Sequence, residues 1–169
     1  PTCTFDIKAN IGSAESRGVE LELNARLGEH VRLNVGGNYT SAKIIEPVSV
    51  LGVMRGDHVP GVPEYSLSGS IDVTQPVAND AQAAFNLNAQ WVGPSQGTIL
   101  HGDPDFERPA YVVMGGKAGI RWSRLDVSLF VTNLLNQHKV LQRPNIALVE
   151  YGMTVRPRTV GLSASYGFQ

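Results

Sequence analysis

Between residues 17 and 40 the chain reads RGVELELNARLGEHVRLNVGGNYT, and the alternation in this stretch constrains the fold more than any other feature. Val19, Leu21, Leu23, Ala25 and Leu27 are apolar at every second position, with Glu20, Glu22, Asn24 and Arg26 between them. A period of two sets these groups on opposite faces of a strand. After Gly28 and Glu29 the pattern restarts, with Val31, Leu33, Val35, Gly37 and Tyr39 on one face and Arg32, Asn34, Gly36, Asn38 and Thr40 on the other. Two long strands therefore meet at a tight turn.

The same period recurs along the chain. Tyr65, Leu67, Gly69, Ile71 and Val73 share a face, as do Ala83, Phe85, Leu87, Ala89 and Trp91. Further runs follow at Val112 to Trp122, Leu125 to Val131 and Val160 to Phe168. With a fragmentary strand at 2–9, the pattern predicts eight antiparallel strands. Connections at 28–29, 75–80 and 123–124 are short, whereas 41–63, 92–109 and 134–157 are long, and the two kinds alternate strictly. Short turns then share one rim and long loops the other, as in a transmembrane β-barrel with short periplasmic turns and long extracellular loops.

Composition narrows the alternatives. With 18 Gly, 10 Pro and 17% charged residues in 169, neither a helical bundle nor a disordered chain fits. A net charge of −1 gives no electrostatic reason for a nucleic-acid partner. The single Cys3 makes no internal disulfide and no paired zinc or redox motif. No apolar run reaches the length of a transmembrane helix, so contact with a membrane falls to the strands.

Alternation alone also suits a soluble lipocalin-like barrel with its apolar face inward. The placement of aromatic residues favours the membrane. Tyr39, Tyr65 and Trp91 fall at the loop ends of their strands, and Trp122, Tyr166 and Phe168 at the turn ends, all on the apolar face. Two aromatic bands around an aliphatic middle suit a lipid-facing surface, because amphipathic rings sit at headgroup level. On the other face Glu20, Glu22, Asn24, Arg26, Arg32, Asn34, Asn86, Asn88 and Gln90 suit a wet lumen.

Four segments in order, NIGSAESRGVELEL, GDHVPGVPEYSLS, LFVTNLLNQ and RPRTVGLSASYGF, make the chain resemble the C-terminal barrel region of TonB-dependent outer-membrane receptors. The resemblance implies a barrel of about 22 strands with a plugged lumen, in the bacterial outer membrane. It implies uptake of a scarce small molecule such as a ferric siderophore, cobalamin or a sugar, without catalysis or a resident cofactor. It also implies energisation by the inner-membrane TonB complex through an N-terminal region outside this chain. On this reading the chain is a C-terminal segment lacking the plug domain and N-terminal strands. The alternative is a self-contained eight-stranded barrel, either an outer-membrane anchor or a soluble ligand binder.

Motifs that carry chemistry elsewhere read here as structural. Gly93-Pro94-Ser95-Gln96-Gly97 has the letters of a nucleophile elbow, but no helical pattern follows to shape one. His101, Asp103, Asp105 and Glu107 offer oxygen ligands for a hard cation, with a solvated acidic loop as the plainer reading. His30, His58, His101 and His138 show no zinc spacing. Asn38-Tyr39-Thr40 is a glycosylation sequon only by letters, and Gly115, Gly116 and Gly119 within a strand mark a bend or close approach and not a phosphate cradle. Glu20, Glu22, Arg26 and Arg32 suit either a ligand path or, more simply, inter-strand charge pairs. No residue is assigned to ligand binding, since long loops carry specificity and none holds a chelating set.

Overall fold

The structure is a computed structural model that describes residues 12–47, 52–103, 105–142 and 152–168. All its elements there are strands: β1 (Gly12–Leu27), β2 (Val31–Pro47), β3 (Tyr65–Ala78), β4 (Ala81–Val92), β5 (Ser95–Gln96), β6 (Glu107–Arg108), β7 (Tyr111–Trp122), β8 (Leu125–Thr132), β9 (Val140–Gln142), β10 (Met153–Thr154) and β11 (Thr159–Tyr166). Seven form one antiparallel sheet in the order β1-β2-β3-β4-β7-β8-β11. The strand expected at 2–9 lies outside the described residues.

Register carries the alternation from strand to strand. Leu23 lies opposite Val35, Val35 opposite Gly69, and Gly69 opposite Ala89. Ala89 continues to Met114, and Leu129 pairs with Ala118 on one side and Leu162 on the other. The apolar residues thus form one face seven strands wide. That face is bare: Val19, Leu21, Leu23, Leu129, Val160 and Leu162 are between 53% and 73% exposed. A soluble barrel buries such residues, whereas here the buried apolar side chains among the described residues are only Ala42, Ile44, Val53 and Ala81.

The turns share one rim, as expected, with residues 28–30, 79–80 and 123–124 linking consecutive strands. Asp80 stitches two of them together, accepting from the Trp122 indole N–H at 2.8 Å while its carbonyl accepts from Ser123 N–H at 3.1 Å.

Three boundaries differ from the sequence expectation. β2 runs on to Pro47 and pairs with a β1 that starts at Gly12, so the first long loop begins later than residue 41. A register shift between Ser13 and Ala14 and the burial of Ala42 and Ile44 break the alternation there. The 75–80 turn shrinks because β3 continues through Pro76, opposite Gln82, to Ala78. The loops at 92–109 and 134–157 contain the short ladders β5-β6 and β9-β10.

Candidate functional site: the polar face and the outer rim

Opposite the apolar face, the sheet holds a trough of about 900 Å³. Register builds its wall in rows. Nearest the loop rim, Glu20 lies opposite Asn38, and Asn38 opposite Ser66. Ser66 Oγ donates to Asn38 Oδ1, and the Asn38 amide donates to Thr40 Oγ1 at 3.2 Å. In the next row Glu22 faces Gly36, followed by Ser68 and Gln90. Below that come Asn24, Asn34, Ser70 and Asn88, where Asn34 Nδ2 donates to Ser70 Oγ at 3.0 Å. Asn24 Nδ2 donates back to Glu22 Oε1 at 2.9 Å. The wall therefore offers amides, hydroxyls and two carboxylates, a surface for a hydrogen-bonding solute.

The row below is cationic. It runs Arg26, Arg32, Asp72, Asn86, Lys117 and Phe130. The inter-strand charge pairs expected among Glu20, Glu22, Arg26 and Arg32 do not form, because register sets Arg26 against Arg32 and Glu20 against Asn38. Still nearer the turns, Arg121 bridges to Asp126 at 3.2 Å, and Ser128 Oγ is buried with no hydrogen-bond partner among the described residues. A Cβ at Gly119 would lie 2.5 Å from Ser128 Cβ, which bears out glycine as a close-approach residue in β7.

On the loop rim, residues 52–64 fold back along β2. Ile44 N–H donates to Asp57 O, Gly56 N–H to Ile44 O and Val59 N–H to Ala42 O. This loop is tied to the next by a bond from Gly61 N–H to Gln96 O at 2.7 Å, and His101 Nε2 reaches Asp57 Oδ2 at 3.7 Å. Between them lies a cavity of about 480 Å³, with His58, Val62 and Glu64 from one loop and Pro94, Gln96 and Arg108 from the other. His58 Nδ1 is 3.6 Å from Glu64 Oε1. These positions come from segments about forty residues apart, so no local spacing in the sequence marks them as neighbours.

The acidic stretch at 101–107 disperses. Asp105 is buried and pairs with Arg108, whose Nε donates to Oδ1 at 3.2 Å. Asp103 accepts from Asp105 N–H at 2.8 Å, Glu107 is exposed in β6, and the His101 ring packs tilted against Phe106 at 4.6 Å. Among the described residues no three His, Cys, Asp or Glu side chains gather into a metal site. Ser95 of the Gly93–Gly97 stretch lies in β5, opposite Arg108 of β6, so the serine sits in a strand ladder and not at a strand-to-helix turn.

Residues 1–134 match the family described as TonB dependent receptor-like, beta-barrel. Among solved structures, the ferric yersiniabactin uptake receptor FyuA of Yersinia pestis is similar at 23% identity and a TM-score of 0.77, over 95% of this chain and 24% of that one. The ferric-catecholate import receptor Fiu of E. coli follows at 20% identity and 0.70, covering 92% of this chain and 21% of that one. BauA, the ferric preacinetobactin receptor of Acinetobacter baumannii, is similar at 21% and 0.68, covering 90% and 22%. The chain thus spans about a quarter of the length of these receptors. No curated protein matches it.

Proposed function

Since the chain belongs to the TonB-dependent receptor-like β-barrel family, we propose that its seven-stranded sheet is part of the wall of an outer-membrane receptor that takes up a scarce small molecule. The bare apolar face spanning all seven strands carries this reading. Exposed to water, such a face is an aggregation hazard; set in lipid between its aromatic bands, it is stable. The tilted rings of Tyr39 and Tyr65 pack at 5.0 Å at one margin, and Tyr166 meets Phe168 edge-on at 5.0 Å at the other.

The polar wall and the rim cavity give this receptor two places for a solute, first between the loops and then along the trough. A ferric siderophore is the ligand class we favour, because the similar solved proteins are named as receptors for ferric compounds. Transport through a lumen against a concentration gradient needs an energy source, which in this reading is the inner-membrane TonB complex acting through a region outside this chain.

Deletion of the parent gene tests the proposal. Uptake of at least one labelled ferric siderophore should fall in the deletion strain, return with the intact gene, and be lost in a strain without TonB. Unchanged uptake of ferric siderophores, cobalamin and sugars in the deletion strain would overturn it.

A further inference from the structure

The cationic row on the polar face is placed against electrostatic sense. Arg26 of β1 and Arg32 of β2 are directly opposed in register, which sets their Cα atoms roughly 4.5–5.5 Å apart. Like charges so placed repel. Both side chains are exposed on the polar face, and among the described residues neither forms an ion pair. The carboxylates flanking the pair on this face accept from neutral amides and make no ion pair with either arginine. Asp72, opposite Arg32, accepts from Asn86 Nδ2 at 2.8 Å, and Glu22 accepts from Asn24. Glu29 lies beyond the strands in the turn, and His30 beside it adds no negative charge.

We infer that Arg26 and Arg32 form an anion-receiving station on the inner half of the wall, filled by an oxyanion from outside the described residues. Two guanidinium forks on adjacent strands present several parallel N–H donors, which match the planar oxygens of a carboxylate or the oxygens of a phosphate. An anion between them replaces repulsion with two charge-assisted contacts. The oxyanion has two sources of the same chemistry: a solute in the lumen, or a carboxylate side chain elsewhere in the parent receptor. The 900 Å³ trough is lined as far as Asn24 and Asn34 and not by the arginines, so the station lies at its inner end. The inference rests on the receptor reading only for the placement of this face around a lumen, and the measurement below reads the arginines without requiring uptake.

The test uses the full-length parent receptor in detergent at low ionic strength, as wild type, R26Q/R32Q and R17Q. Arg17 already pairs with Glu15 on the same strand, so R17Q removes a charge while leaving the station intact. Thermal unfolding is followed during titration with inorganic phosphate and with sodium chloride at matched ionic strength. A solute station predicts a saturable rise in Tm with phosphate in wild type and R17Q, weakened at least tenfold in apparent affinity in R26Q/R32Q. A station filled internally predicts no phosphate response and a Tm lower by several degrees in R26Q/R32Q but not in R17Q. The inference is overturned if phosphate has no effect and R26Q/R32Q is as stable as wild type or more so, or if phosphate stabilises all three proteins alike.

Discussion

Asn133 has a φ of 48° and is buried, and its amide is fully used. Both Nδ2 protons are donated, to Gln137 O at 2.9 Å and Arg156 O at 2.8 Å, while Oδ1 accepts from Gln137 N–H at 2.8 Å. One side chain thus ends β8 and holds both ends of the following loop. Replacing Asn133 with Gly keeps the positive φ accessible and removes only the amide. It should lower the unfolding free energy of the parent receptor by roughly 1–3 kcal/mol, and Asn133→Ala by about 1–2 kcal/mol more through backbone strain. Urea titration in lipid vesicles reads both. A Gly variant as stable as wild type would show that water replaces the amide. Glycine 161 poses the converse case, since a Cβ there would lie 2.5 Å from the Phe130 ring. Gly161→Ala should cost about 1–3 kcal/mol by overpacking, and the double variant with Phe130→Leu should cost less than the sum of the two singles. In the sequence, Asn133 is visible as part of a family-like strand end, but its role is not, because all three of its partners are backbone groups that only the folded loop supplies. Asp105 was grouped with three other potential ligands for the same reason: its hairpin contact with Arg108 leaves no mark in composition.

At the scale of elements, the strand cores and turns were legible, because a residue on a half-exposed strand declares its face by polarity alone. The ends were not. β1 and β2 have 16 and 17 residues, more than the roughly 9–11 that span a membrane. Above Val19 and Tyr39 the apolar face changes character, with Arg17 opposite Ser41 and Glu15 opposite Lys43. On the receptor reading proposed above, the hairpin leaves the lipid there and continues as a water-exposed ribbon, covered on its polar side by the returning loop. This boundary makes depth testable on one strand. Leu23→Arg should cost about 2–4 kcal/mol in vesicle refolding, Val19→Arg about 0–1 kcal/mol, and Asn24→Arg on the opposite face should be close to neutral. Equal losses at Leu23 and Asn24 would overturn the assignment of faces and favour a soluble barrel. The rim cavity escaped the sequence for a related reason, since the bond from Gly61 to Gln96 joins loops that belong to different hairpins.

At the scale of the whole molecule, β1 and β11 are the edges of the described sheet, each hydrogen-bonded along one side only. Long edges with bare ladders recruit partners. Closing the sheet on itself with a strand from 2–9 would make an eight-stranded barrel, whose interior side chains just fill. The polar face is unsuited to that. Closure would crowd Glu20, Glu22, Arg26, Arg32 and Lys117 into a space without water, where Arg26 and Arg32 would repel at low dielectric. It would also eliminate the trough of about 900 Å³ that the open curvature leaves. The 169-residue chain refolded alone in detergent should therefore pair through its edges and run as a dimer or larger species whose size rises with protein concentration. Light scattering coupled to gel filtration reads the mass, and amide hydrogen exchange reads the edges. Protection of β1 and β11 amides should increase with concentration as the edges find partners in other copies. A monomer at all concentrations, with the outward amides of both strands protected, would mean that the edges satisfy each other within one chain and that the small closed barrel forms despite its charges.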